Sequence, residues 1–134
     1  AVRVGGGHNH RFSLADGILL KDNHIAACGS ITKAVQMLRD KAPHTLKIEV
    51  ETENLAQVEE CLACGVEIIM LDNMAPALMR QAVSLIEGRA LVEASGGVNL
   101  DNVREIAETG VDLISVGALT HSARAVDISM RLSV

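Results

Sequence analysis

The sequence has no Trp and no Tyr, and Phe12 is its single Phe. Proteins that bind nucleic acid usually carry stacking rings and a basic stripe, whereas 17 acidic residues here outnumber 12 basic ones for a formal charge of −5. A nucleic-acid partner is therefore not expected. Proline is nearly as scarce, with two in 134 residues, and no low-complexity tract interrupts a chain that is 49% apolar. That composition fits one folded domain and excludes disordered or linker-dominated architectures. Long hydrophobic runs are missing too. The stretch from Val66 to Leu71 is broken by Glu67, far below the roughly 20 residues of a membrane span, and no signal-like segment precedes it.

Cysteine is limited to Cys28, Cys61 and Cys64, an odd number too small for a secreted disulfide framework, so a cytoplasmic location is expected. Cys61-Leu-Ala-Cys64 has redox or zinc spacing, but it lies within helical periodicity from Asn54 to Cys64, and no second pair or nearby His completes a tetrahedral site. Two thiols packed as small hydrophobes in a helix are expected.

Five short β-branched or aliphatic runs read as buried strands: Gly17 to Lys21, Leu46 to Glu51, Glu67 to Leu71, Ala90 to Ala94 and Asp112 to Val116. Helical periodicity fills the intervals at Ile31 to Arg39, Leu55 to Leu62, Pro76 to Ile86 and Leu100 to Glu108. Ser30 or Thr32, Asn54 and Asn99 are placed to cap helices, Pro76 suits a first turn, and Gly65, Gly88 and Gly110 follow helix ends. Alternation of this kind predicts an α/β fold with a parallel sheet. In Lys47-Ile-Glu-Val-Glu51, the two-residue period sends Lys47, Glu49 and Glu51 to one face. A doubly wound sheet would bury those charges beneath helices, whereas a barrel lumen holds them in a polar site. A TIM-like (β/α) barrel is therefore preferred over a doubly wound sheet. Eight βα units take about 200 to 250 residues, so residues 1–134 are expected to be the C-terminal part of the barrel domain of a larger, two-domain enzyme.

Chemistry in such folds collects at the C-terminal ends of strands. Lys21-Asp-Asn-His24, Glu51, Asp72-Asn73, Ser95-Gly96-Gly97 and Gly117-Ala118-Leu-Thr120 fall there. The glycine turns suit the approach of backbone N–H groups to phosphate, the more so where a helix follows Ser95-Gly-Gly-Val-Asn99. Glu51 and Asp72 end adjacent strands and are candidate Mg²⁺ ligands shared with phosphate oxygens; the alternative makes them salt-bridge partners of Lys21 or Lys47. Lys21 is an anion anchor, a Schiff-base nucleophile or a solvated lysine. Upstream, Gly5-Gly-Gly7-His8-Asn9-His10-Arg11 has two histidines but no third ligand for zinc, so His10 and Arg11 serve better as donors to an anionic ligand. His44 and His121 are expected to face solvent.

Together these motifs resemble the quinolinate phosphoribosyltransferase family, the pyrophosphorylases that form nicotinate mononucleotide. Gly5-Gly-Gly7 with His10-Arg11, Leu20-Lys-Asp-Asn-His24, Glu49-Val-Glu51, Met70-Leu-Asp-Asn73, Glu93-Ala-Ser-Gly-Gly97 and Ile114-Ser-Val-Gly-Ala-Leu-Thr120 follow its order and spacing. The resemblance implies transfer of phosphoribose from phosphoribosyl pyrophosphate to quinolinate, with loss of pyrophosphate and CO2. It assigns His10, Arg11 and Lys21 to quinolinate, Glu51 and Asp72 to ribose and Mg²⁺-pyrophosphate, and Ser95, Gly96, Gly97, Gly117 and Ala118 to phosphate. Lys21, Glu51 and Asp72 are thus the expected catalytic groups. It implies a homodimer or higher homo-oligomer. Further cations, in an Arg-Lys-Thr strand end and in a neighbouring subunit's N-terminal domain, lie outside this sequence, so the isolated chain is expected to be inactive. A paralogous phosphoribosyltransferase with another acceptor, a Schiff-base lyase using Lys21, and a non-catalytic oligomerisation module are the alternatives.

Overall fold

The computed structural model describes residues 1–133. In chain order the elements are β1 (Ile18–Leu20), α1 (Asp22–Cys28), α2 (Ile31–Arg39), β2 (Ile48–Thr52), α3 (Leu55–Cys64), β3 (Ile68–Asp72), α4 (Pro76–Ile86), β4 (Leu91–Ser95), α5 (Val103–Ala107), β5 (Leu113–Ile114) and α6 (Ala118–His121). All five strands pair in parallel, in the order β1-β2-β3-β4-β5. Because that order never reverses and crossovers share one hand, the connecting helices fall on one face of the sheet. Neighbouring helices from α1 to α5 accordingly pack side by side. This is the winding of a partial barrel, not of a doubly wound sheet.

Register assigns every strand residue a face. Val50 pairs with Ile69, Ile69 with Val92, Leu71 with Ala94 and Ala94 with Ile114, and this apolar layer packs on helix residues such as Ile31, Val58, Met79 and Ile86. Each such fully buried Ile or Leu contributes about 1.5–3 kcal/mol. Thr52 is the polar member of that layer, and its hydroxyl donates to the Met70 carbonyl at 2.9 Å. The opposite, concave face carries Glu49, Glu51, Asp72, Glu93 and Ser95, as the two-residue alternation requires. Leu91 and Leu113 also lie on it, 40% and 44% exposed, and the outer edges of β1 and β5 pair with no strand among the described residues.

The predicted caps form where local chemistry demands them. Ser30 accepts from the Lys33 N–H, Asn54 accepts from the Gln57 N–H, and Pro76 opens α4. Cys61 is buried and Cys64 half-buried, both in α3 and both free. Three expectations need correction. The helix expected over Leu100 to Glu108 is only Val103–Ala107, because the Asn99 side chain accepts from the N–H groups of Asp101 and Asn102 and sets a turn first. The last strand contracts to Leu113–Ile114, having a neighbour on one side only. The strand expected over Gly17 to Lys21 is only Ile18–Leu20, because Lys21 caps α1, where its N–H donates to His24 Nδ1 at 3.0 Å.

Candidate active site

Two groups of polar side chains occupy the concave face and its rim. The first is assembled by the glycine-rich N-terminal loop. Backbone hydrogen bonds from Gly5 to Ala1 and from Gly7 to Val2 fold that loop on itself. The chain then delivers His10 to the centre of the sheet, with Nε2 at 3.0 Å from Glu49 Oε2 and 3.6 Å from Glu93 Oε1. Ser115, just past β5, donates its hydroxyl to Glu93. Burial, reinforced by the charge of Glu93, pushes the Glu49 carboxyl above the usual range, with His10 opposing. Glu49 Oε1 is a buried oxygen with no hydrogen-bond partner. Arg11 donates to the Gly17 carbonyl at 3.3 Å. Asp16 closes the following turn by accepting from the N–H groups of Phe12 and Ser13, which hold its carboxyl below the usual range. An open cavity of about 990 Å³ is bounded by His10, Arg11, Glu49, Glu93, Ser115 and Gly117, among others.

The second group lies at the strand ends. Lys21 follows β1 and is exposed, while Glu51 and Asp72 are half-buried on the adjacent β2 and β3. Burial raises the Glu51 pKa, the Lys21 charge opposes that rise, and Asp72 adds to it, so the three side chains share one field. Among the described residues neither carboxylate forms an ion pair, which counts against the salt-bridge alternative. Asp72 Oδ2 accepts from the Asn73 amide at 2.8 Å, and the two carboxylates together are a hard donor set of the kind that suits Mg²⁺ completed by substrate oxygens and water. His10, Glu49 and Glu93 are the group of three possible ligands that converges among the described residues, their donor atoms lying within 4.8 Å of one another. Cys61 is wholly buried and burial pushes its thiol up to about 12, the behaviour of a thiol packed as a small hydrophobe.

The glycine turns complete the rim. Gly96 and Gly97 follow β4 with φ of +90° and +61°, and the Asn99 and Asn102 side-chain amides both donate to the Gly97 carbonyl. The helix expected to supply its N-terminus to this turn begins only at Val103 and has five residues, so its dipole is small. Gly117 has ordinary φ and precedes α6, whose exposed first residue is Ala118.

The structure thus gathers His10 and Arg11 with Gly117 around the cavity, and Lys21, Glu51 and Asp72 along the rim. Sequence reasoning quoted Glu49, Glu93 and Ser115 within the family motifs, and used Glu49 to define a face, but gave none of the three a role. Strand alternation carries the signal for Glu93, a carboxylate at an inward position. His121 is exposed, as expected, and it also lies beside the glycine turn, where a Cβ on Gly117 would meet its Nε2 at 3.1 Å. Its spacing of one helical turn from Gly117 was the available clue.

Residues 1–131 match the sequence profile of the quinolinate phosphoribosyl transferase C-terminal domain. The chain is 48% identical over its whole length to a probable nicotinate-nucleotide pyrophosphorylase (carboxylating) of Bacillus subtilis, and covers 46% of that protein. It is 53% identical over 98% of its length to one with the same description in Synechocystis, again covering 46%. The crystal structure of NadC from Streptococcus pyogenes superimposes with a TM-score of 0.90 at 51% identity, over 97% of this chain and 46% of that one. The chain therefore spans about half the length of the relatives it matches.

Proposed function

Because the chain belongs to the quinolinate phosphoribosyl transferase family, matching its C-terminal domain, we propose that it carries most of the site for phosphoribosyl transfer to quinolinate. The products are nicotinate mononucleotide, pyrophosphate and CO2, and the step belongs to de novo NAD biosynthesis. The observation that carries this reading is the convergence on one concave face of donor side chains at His10 and Arg11 with a carboxylate rim at Glu51 and Asp72.

In this reading His10, Arg11 and Lys21 bind the dicarboxylate acceptor. Arginine's planar fork matches a carboxylate and lysine adds a mobile charge. Glu51 and Asp72 hold the ribose and would hold Mg²⁺, which when bound neutralises pyrophosphate charge. Departure of pyrophosphate leaves positive charge on the ribosyl carbon, and the same carboxylates stabilise it electrostatically. Ser95, Gly96, Gly97, Gly117 and Ala118 present backbone N–H groups to the phosphate, with His121 over the second turn as a further donor. Ribosylation makes the ring nitrogen cationic, so the adjacent carboxyl leaves readily and the protein's task is orientation. A few converging cations set the local field despite the net charge of −5.

The exposure of Lys21 favours an anchor over a Schiff-base nucleophile, which is ordinarily activated by desolvation. A cytoplasmic homodimer or higher homo-oligomer supplies the cations that lie outside this chain. No helix among the described residues is long and apolar enough to cross a membrane.

The test is release of labelled CO2 from quinolinate isotopically labelled in the carboxyl beside the nitrogen, with phosphoribosyl pyrophosphate and Mg²⁺, catalysed by the full-length protein. Arg11→Ala should weaken quinolinate binding in calorimetry about tenfold or more, since one charge-assisted contact is worth roughly 1.5–3 kcal/mol. Unchanged affinity would remove Arg11 from the site.

A further inference from the structure

We propose that Glu49 and Glu93 are positioning residues that fix the His10 imidazole for the acceptor, holding it through Nε2 and leaving Nδ1 toward the ligand. This rests on the reading that His10 binds the acceptor.

The two glutamates are costly where they stand. Each is about 95% or more buried as a residue, and a buried carboxylate without a partner is among the most expensive groups a fold can carry. Among the described residues the ion pairs of both glutamates are with His10 alone: Arg11 turns to the Gly17 carbonyl and reaches Glu49 only through its longer-range field. The sheet does not require charge at these positions either. Glu49 is in register with Ile68, and Glu93 with Met70, so the same concave face accommodates apolar side chains beside each glutamate. Hydrophobic residues there would make the more stable protein.

Their geometry has one focus. Glu49 stands on β2 and Glu93 on β4, separated by β3, with strands about 4.8 Å apart, yet both side chains lean over β3 to meet one ring. Ser115 braces Glu93 from the β5 side. Residues on β2, on β4 and just past β5 thus contribute to one polar cluster centred on a histidine, Glu49 by a hydrogen bond and Glu93 by charge at 3.6 Å. That histidine comes from a loop with no regular structure of its own. A loop-borne ring presents its free nitrogen in a defined direction only if something rigid grips the other, and the strands supply that grip. Among the described residues Nδ1 of His10 makes no hydrogen bond, while Nε2 is engaged.

Three variants of the full-length protein test this. Glu49→Ala should raise KM for quinolinate about tenfold or more, the equivalent of losing one charge-assisted hydrogen bond, with KM for phosphoribosyl pyrophosphate unchanged. Glu49→Asp, which keeps the acceptor but withdraws it by one methylene, should recover part of that loss. Ser115→Ala leaves both carboxylates in place and should shift the same parameter by a smaller factor; it decides the matter if Glu49→Ala does not fold. Independently of turnover, the His10 ring ¹⁵N resonances, assigned with His10→Gln, should move in Glu49→Ala. A resonance that stays put refutes the positioning whatever the activity, as does a KM increase equal for both substrates or absent in both variants. No turnover in the unsubstituted protein refutes the activity reading instead.

Discussion

Gly96 is the position where a single methyl group tests the whole rim. Its φ of +90° lies in the region that L side chains avoid, and an added Cβ would come within 2.3 Å of Asn73 Oδ1, 2.4 Å of its Cγ and 2.7 Å of its Nδ2. Asn73 cannot stay where it is. Its own φ is +51°, its N–H donates to the Ser95 carbonyl at 2.9 Å, and its side chain donates to Asp72 Oδ2 at 2.8 Å. The backbone strain of Ala at such a φ costs about 1–3 kcal/mol, and loss of a hydrogen bond to a charged acceptor adds roughly 1.5–3 kcal/mol. Gly96→Ala should therefore destabilise the protein by about 3–5 kcal/mol and disturb the Asp72 carboxylate at the same time.

Gly97→Ala is the internal control. Its φ of +61° carries strain, but the nearest atom is Asn73 Oδ1 at 4.0 Å, so only about 1–2 kcal/mol is expected. Urea unfolding of the full-length protein measures both. Truncation with Asn73→Ala should relieve the steric part of the Gly96→Ala penalty, giving a non-additive double-mutant cycle. Equal losses for Gly96→Ala and Gly97→Ala, or strict additivity with Asn73→Ala, would show that the Asn73 contact does not govern this turn.

Asp72→Asn should raise the Mg²⁺ concentration needed for half-maximal turnover and lower the maximum while thermal stability is kept; an unaltered Mg²⁺ dependence would take Asp72 out of the metal-binding role. Glu49 and Glu51 both have carboxyls raised above 4.5, mainly by burial, so the folded state holds more protons than the unfolded state just above that pH, and their contribution to stability falls as pH rises through the window. Glu49→Gln should flatten that fall in melting temperature, and an identical slope would contradict the assignment. Iodoacetamide under native conditions should modify Cys28 and Cys64 before Cys61, whose thiol is wholly buried and pushed up to about 12; peptide mass mapping that finds Cys61 alkylated first would refute the α3 packing. The 134 residues expressed alone should self-associate and form no nicotinate mononucleotide, because β1 and β5 offer open edges and Val126, Ile128, Met130 and Leu132 are 79–86% exposed. A soluble monomer in light scattering that makes product would overturn this.

Much of the fold was legible because it is encoded locally. Ile48, Val50, Ile69 and Leu71 announce strands by branching and alternation, and Ser30, Asn54 and Pro76 announce helix starts by hydrogen bonds made within three or four residues. The charged alternation at Lys47, Glu49 and Glu51 was enough to prefer a barrel, since one face of β2 had to stay polar. Where the reading slipped, competing local bonds won: Asn99 formed a turn before α5 could begin, and His24 capped the start of α1.

The site divides along the same line. Sequence alone determined which residues reach the strand ends, because a two-residue period and a βα repeat fix both face and height. It also supplied the family resemblance, which rests on ordered motifs. Only the tertiary structure decided that His10 meets Glu49, 39 positions away, and that Glu93 joins them from β4 while Ser115 braces it. Those contacts depend on how far a loop folds back over the sheet and on how side chains from strands two apart lean together. Neither quantity has a local sequence signature, because each is set by the packing of the whole sheet.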